Sequence, residues 1–129
     1  MRLLLIILPT LLAAGCTGVA DRTQPERDRQ QLAAALAGRT AGAPLKCLPR
    51  TANGGTDAIG DSILFRDGNT TYVSHTGGSC GALSDVGKFL VLEHYGGSDT
   101  CAGDLAKVAD SSGFVAGSCV LGPFVPYRR

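Results

Sequence analysis

Ile59-Gly60-Asp61-Ser62-Ile63-Leu64-Phe65-Arg66, then Asp67-Gly68-Asn69, then Thr70-Thr71-Tyr72-Val73-Ser74-His75: the fold is read from this stretch. Ile59, Ile63 and Phe65 fall on one side and Ser62 and Arg66 on the other, the two-residue period of a half-buried strand. Asp67-Gly68-Asn69 tolerates the backbone angles of a tight turn, and the β-branched and aromatic run from Thr70 to His75 returns as a second strand. A β-hairpin follows. The three tyrosines and four phenylalanines all lie between Phe65 and Tyr127, so the core is expected in the C-terminal two thirds of the 129 residues.

Downstream, Gly77-Gly78 turns the chain toward Cys80, and Lys88 to Tyr95 is a short, dense apolar run better suited to a strand than to half a helix. Gly96-Gly97-Ser98-Asp99 breaks it. Further strands are expected over about 104–109 and 114–121, the second open to interruption at Gly117. Pro123 and Pro126 place the last residues along an edge or surface rather than through a sheet centre. The expected fold is mainly β: a small, partly open antiparallel barrel or curled sheet of four to five strands, preceded by a short N-terminal helix.

Upstream, residues 38–58 carry glycines, Pro44, Pro49 and Asn53-Gly54-Gly55 and read as loop, with a tied point near Cys47. Thr23 and Glu26 have the spacing of a capping box, and Leu32, Ala33 and Leu36 share one helical face before Gly38. The stripe is narrow, so this helix should dock weakly.

At the N-terminus, Arg2 precedes an apolar run from Leu3 to Leu12 that is too short to span a bilayer, followed by small residues and Cys16. Leu12-Ala13-Ala14-Gly15-Cys16 resembles the lipobox of bacterial lipoproteins, although Ala13 stands where leucine is usual. The resemblance implies cleavage before Cys16 and its acylation, and two or three acyl chains together make a firm membrane anchor. Thr17 rather than Asp after the cysteine implies transfer to an outer membrane, facing the periplasm. The organisation expected is a signal peptide over 1–16, a polar tether with the helix over 17–44, and a disulfide-linked β domain over 45–129.

Twelve basic against eleven acidic residues, scattered and without an aromatic-interleaved stripe, exclude a nucleic-acid partner. With Cys16 assigned to lipid, Cys47, Cys80, Cys101 and Cys119 remain, an even number that reads as two disulfides in an oxidising compartment with three pairings open. No metal or cofactor is expected, because neither close Cys spacing nor H-E-x-x-H is present. His75 and His94 read as partly exposed polar decoration. Gly77-Gly78-Ser79-Cys80-Gly81 spells the nucleophile-elbow pattern but lacks its strand–turn–helix setting. Among the acids Asp61, Asp85, Glu93, Asp99 and Asp104, Asp61 and Asp104 are candidate structural carboxylates that accept backbone N–H groups near turns.

The segments Asp61 to Arg66, Cys80 to Leu83, Cys101 to Asp104 and Cys119-Val120-Leu121-Gly122-Pro123-Phe124 resemble a family of small proteobacterial secreted proteins and lipoproteins of unknown function. The resemblance implies an extracytoplasmic disulfide-bearing β domain. Within that pattern the order of segments favours Cys80 with Cys101 and Cys47 with Cys119. The function expected is non-enzymatic, with the lipid anchoring the domain to the membrane where it contacts an envelope protein or small ligand. The rival is a small periplasmic hydrolase. It requires an acid, a hydroxyl and His75 or His94 brought together from separate loops within hydrogen-bonding distance.

Overall fold

The computed structural model describes residues 23–52, 54–94 and 97–129. The signal segment, the lipobox with Cys16 and the first part of the tether lie outside these residues. Among the described residues helix α1 spans Gln24–Ala35, and seven strands follow: β1 (Thr40–Ala41), β2 (Thr56–Ile59), β3 (Ser62–Asp67), β4 (Thr70–Gly78), β5 (Lys88–Glu93), β6 (Leu105–Asp110) and β7 (Val115–Arg128). All join one antiparallel sheet in the order β2-β3-β4-β7-β6-β5, with β1 added against β7. The sheet curls into a partly open half-barrel behind a single helix, the class expected from the sequence.

The strand count exceeds the four or five expected for two local reasons. Gly60, at φ 59°, and Asp61 make a tight turn inside what alternation read as one strand, so β2 and β3 form a hairpin of their own. Thr40–Ala41, in the segment read as tether, adds the short β1. The hairpin read from the sequence is β3–β4, with Asp67 opposite Thr70 and Ser62 opposite His75.

The expectation for the C-terminal prolines is corrected in part: the first half of β7, up to Val120, runs between β4 and β6, whereas the stretch with Pro123 and Pro126 lies between β4 and the segment 40–45 rather than at an open edge. Pro123 is exposed in an irregularity between Ser74 and Thr76, a position where no ladder N–H is required. Phe124 exchanges both backbone bonds with Leu45, and strand alternation turns Pro126 to that same side, where Gly42 N–H donates to its carbonyl at 2.7 Å. Its missing N–H therefore faces an irregular segment instead of a regular ladder. At Gly117 the strand continues, with a second register shift beside it.

The main core cluster lies on one face of the sheet, while the Leu64–Val73 pair is buried on the other. Ile63, Phe65, Tyr72, Val108, Leu121 and Phe124 are buried in the main cluster, and the rings of Phe65 and Phe124 meet edge to face at 5.6 Å. Such a pair contributes about 0.5–1.5 kcal/mol beyond its area burial.

The disulfides are Cys47–Cys101 and Cys80–Cys119, so the pairing favoured by segment order, Cys80 with Cys101 and Cys47 with Cys119, is corrected. The reason is register. Segment 46–48 lies antiparallel to 100–102, with Ala102 N–H on the Lys46 carbonyl and Leu48 N–H on the Thr100 carbonyl. Gly78 is the β4 partner of Cys119, which leaves Cys80 beside it.

Helix α1 follows Thr23 without the expected capping box. The Thr23 side chain makes no cap hydrogen bond and accepts instead from Arg27 Nη2 at 2.8 Å. None of the helix residues is buried. The helix starts beside the β2–β3 turn and ends toward the β3–β4 turn, where Arg39 Nη1 donates to the Asn69 carbonyl at 2.6 Å.

Candidate active site

The β3–β4 register sets Ser62 and His75 directly opposite each other, on the face opposite the main core cluster and next to the buried Leu64–Val73 pair. Ser62 Oγ lies 2.8 Å from His75 Nδ1, within the range of a nucleophile and its base. With the imidazole neutral and its proton on Nε2, the hydroxyl donates to Nδ1. Ser62 is 2% exposed, whereas His75 is exposed, so the ring is the solvent-facing part of the pair.

Backbone contacts fix both residues. The Asp61 carbonyl, just before Ser62, accepts the backbone N–H of Thr76 at 2.8 Å and its hydroxyl at 2.7 Å. On the other side of His75, Ser74 Oγ donates to the Gly122 carbonyl at 2.9 Å. The register shift between Ser74 and Thr76 centres on the histidine, and such irregularities serve to re-aim a side chain beside active sites.

The pair sits in a cleft of about 520 Å³. One wall is Ile59, Gly60, Asp61, Ser62 and His75; the other is Pro25, Asp28, Arg29 and Leu32 of α1. Helix and sheet meet tightly at the turn, since a Cβ on Gly60 would stand 2.8 Å from Asp28 Oδ2. Asp61 is exposed in the β2–β3 turn, and its Oδ1 stands 3.5 Å from Ser62 Oγ, the more distant alternative acceptor for the one hydroxyl proton. The site is thus a serine–histidine pair with two carboxylates in the same cleft, rather than a linear relay.

This arrangement corrects the expectation of a non-enzymatic protein and of histidines as polar decoration. The hydrolase reading is met in its hydroxyl–histidine contact, made by paired strands rather than separate loops, with the acids lining the same cleft. His94 is engaged as well: its Nδ1 lies 3.2 Å from Asp104 Oδ2, which also accepts the Cys101 N–H at 2.8 Å. A further hydroxyl–carboxylate contact, Thr51 to Asp67 at 2.9 Å, lies at the other end of the β3–β4 hairpin. Glu93 pairs with Lys107 at 2.6 Å and Asp99 with Arg50 at 2.6 Å, both away from the cleft. Of the acids singled out in sequence, the cleft takes in only Asp61.

Ser62, Asp28 and Arg29 were missed. A signal for Ser62 existed: counting back along both strands from the Asp67-Thr70 pair places it opposite His75. Nothing comparable marks Asp28 or Arg29, because a weakly amphipathic helix does not announce the surface it covers. Among the described residues no group of three His, Cys, Asp or Glu side chains is arranged to hold a metal. No family model, curated protein or solved structure matches the chain.

Proposed function

We propose that the protein is a small hydrolase of carboxylic esters in which Ser62 is the nucleophile and His75 the general base. The observation that carries this is the 2.8 Å contact between Ser62 Oγ and His75 Nδ1 on the floor of a cleft. Ser62 Oγ attacks the ester carbonyl while Nδ1 takes its proton, and the imidazolium then returns that proton to the leaving alcohol. Water hydrolyses the acyl-serine by the same route in reverse. Asp61 and Asp28 line the same cleft, and Arg29, paired with Glu26 at 3.0 Å, is a cationic side chain there that can meet charge developing on the ester oxygen. Two disulfides support placement in an oxidising, extracytoplasmic compartment, in keeping with the proposed lipid anchor at Cys16.

The test is turnover of short-chain p-nitrophenyl esters together with labelling by a fluorophosphonate. Ser62→Ala and His75→Ala are each expected to lower turnover by roughly 10²–10⁴-fold. Digestion should place the phosphonyl adduct on Ser62. Full turnover by a disulfide-intact Ser62→Ala variant, or an adduct on another residue, would sink the assignment.

A further inference from the structure

The cleft lies at one end of the half-barrel, and that end also carries most of the exposed apolar side chains. Val86, in the loop before β5, is 102% exposed and Phe114, in the β6–β7 turn, is 64% exposed. Strand register adds Phe89 and Val115 to the same corner, because Phe89 pairs with Ala109 and Ala109 with Val115 in one row across β5, β6 and β7. These two are on the sheet face that also presents His75, opposite the face lined by Leu90 and Val108. Large apolar groups gathered at loop tips mark a binding surface rather than ordinary scatter.

The chain's own course names the occupant. Helix α1 begins at this same end, against Gly60, and runs away from it toward Asn69. Thr23, the first described residue, therefore lies at the apolar end. Cys16, the residue expected to carry lipid, is only seven residues before Thr23, a reach of at most about 25 Å when fully extended. We infer that this end of the half-barrel rests on a lipid bilayer, with Val86 and Phe114 entering the acyl–headgroup boundary and the Ser62–His75 cleft opening at the membrane surface.

Charge does not drive the contact. At this end Lys88 is held by Asp110 at 3.0 Å and lies 5.5 Å from the centre of the Phe114 ring, and Arg29 of the cleft is paired with Glu26 at 3.0 Å. Apolar insertion into neutral lipid is what remains, and it is insensitive to salt. One consequence rests on the hydrolase reading: the ester drawn into the cleft is that of a membrane lipid.

The chain contains no tryptophan, so single tryptophans report position cleanly. Full-length Phe114→Trp, Val86→Trp and Asn69→Trp variants, each with its disulfides verified, are mixed with phosphatidylcholine vesicles carrying brominated acyl chains. Fluorescence of the first two is expected to fall by more than half, at low and high salt alike, while Asn69→Trp at the far end is unchanged. Equal quenching at both ends, quenching only at Asn69→Trp, or none at any position overturns the inference. Quenching of Phe114→Trp without ester turnover in the parent keeps the membrane contact and removes the hydrolase. Turnover without quenching does the reverse.

Discussion

Gly122 lies so close to His75 that a Cβ placed on it would overlap the histidine's carbonyl oxygen. The register shift that aims His75 into the cleft therefore depends on a residue with no side chain in the neighbouring strand. Gly122→Ala must push the two strands apart, and such overpacking costs about 1–3 kcal/mol. Denaturant unfolding with the disulfides intact measures the loss. Ester turnover should fall by more than the unfolded fraction accounts for, since the Ser62–His75 distance opens as well.

The core gives a prediction that does not involve the site. Phe124 is fully buried against Phe65 in the central strand, so Phe124→Ala should cost about 3–5 kcal/mol, read as a shift in the denaturation midpoint. A loss under 1 kcal/mol would mean that the central packing is wrong.

The two disulfides close spans of 54 and 39 residues, and the chain-entropy estimate is nearly the same for both, about 4 kcal/mol. Burial separates them. Cys80 and Cys119 are 3% and 2% exposed, whereas Cys47 and Cys101 are half-buried. The Cys80→Ala, Cys119→Ala pair of substitutions should be the more destabilising, because it also opens space in the core. A non-reducing digest of the parent must yield a Cys47–Cys101 peptide and a Cys80–Cys119 peptide.

Acid should expose the turn after β6. The Asp110 carboxyl is held well below the usual carboxylate range, chiefly by the Ser112 hydroxyl, then by Lys88 and by the backbone N–H groups of Phe114 and Ser112. A depressed folded-state value stabilises the fold above the unfolded-state value of 3.8 and is lost as pH falls further. The Asp110→Asn variant should therefore be less stable than the parent at neutral pH, and the difference should shrink below about pH 4. Thermal midpoints measured across that range check the sign; parallel curves for the two proteins would refute it.

The hairpin was legible because Ser62–Asp67 and Thr70–His75 alternate cleanly around a Gly-containing turn. The strand before it was hidden by the same rule: Ile59 and Ile63 keep the alternation across Gly60-Asp61 although the chain reverses there. Pro123 and Pro126 concealed the central place of the first half of β7, since they mark only its second half, where β6 no longer pairs. Cysteine partners depended on that placement and could not precede it. At the site, His75 and Asp61 were visible as chemistry and the pairing of Ser62 with His75 was countable, but the helical wall was not, because α1 buries none of its residues.

That wall has a consequence for change over time. Every residue on which the half-barrel's interior depends lies downstream of α1, whereas Pro25, Asp28, Arg29 and Leu32 shape what the cleft admits. Selectivity can thus drift through four surface positions of one helix while the architecture beneath stays constant.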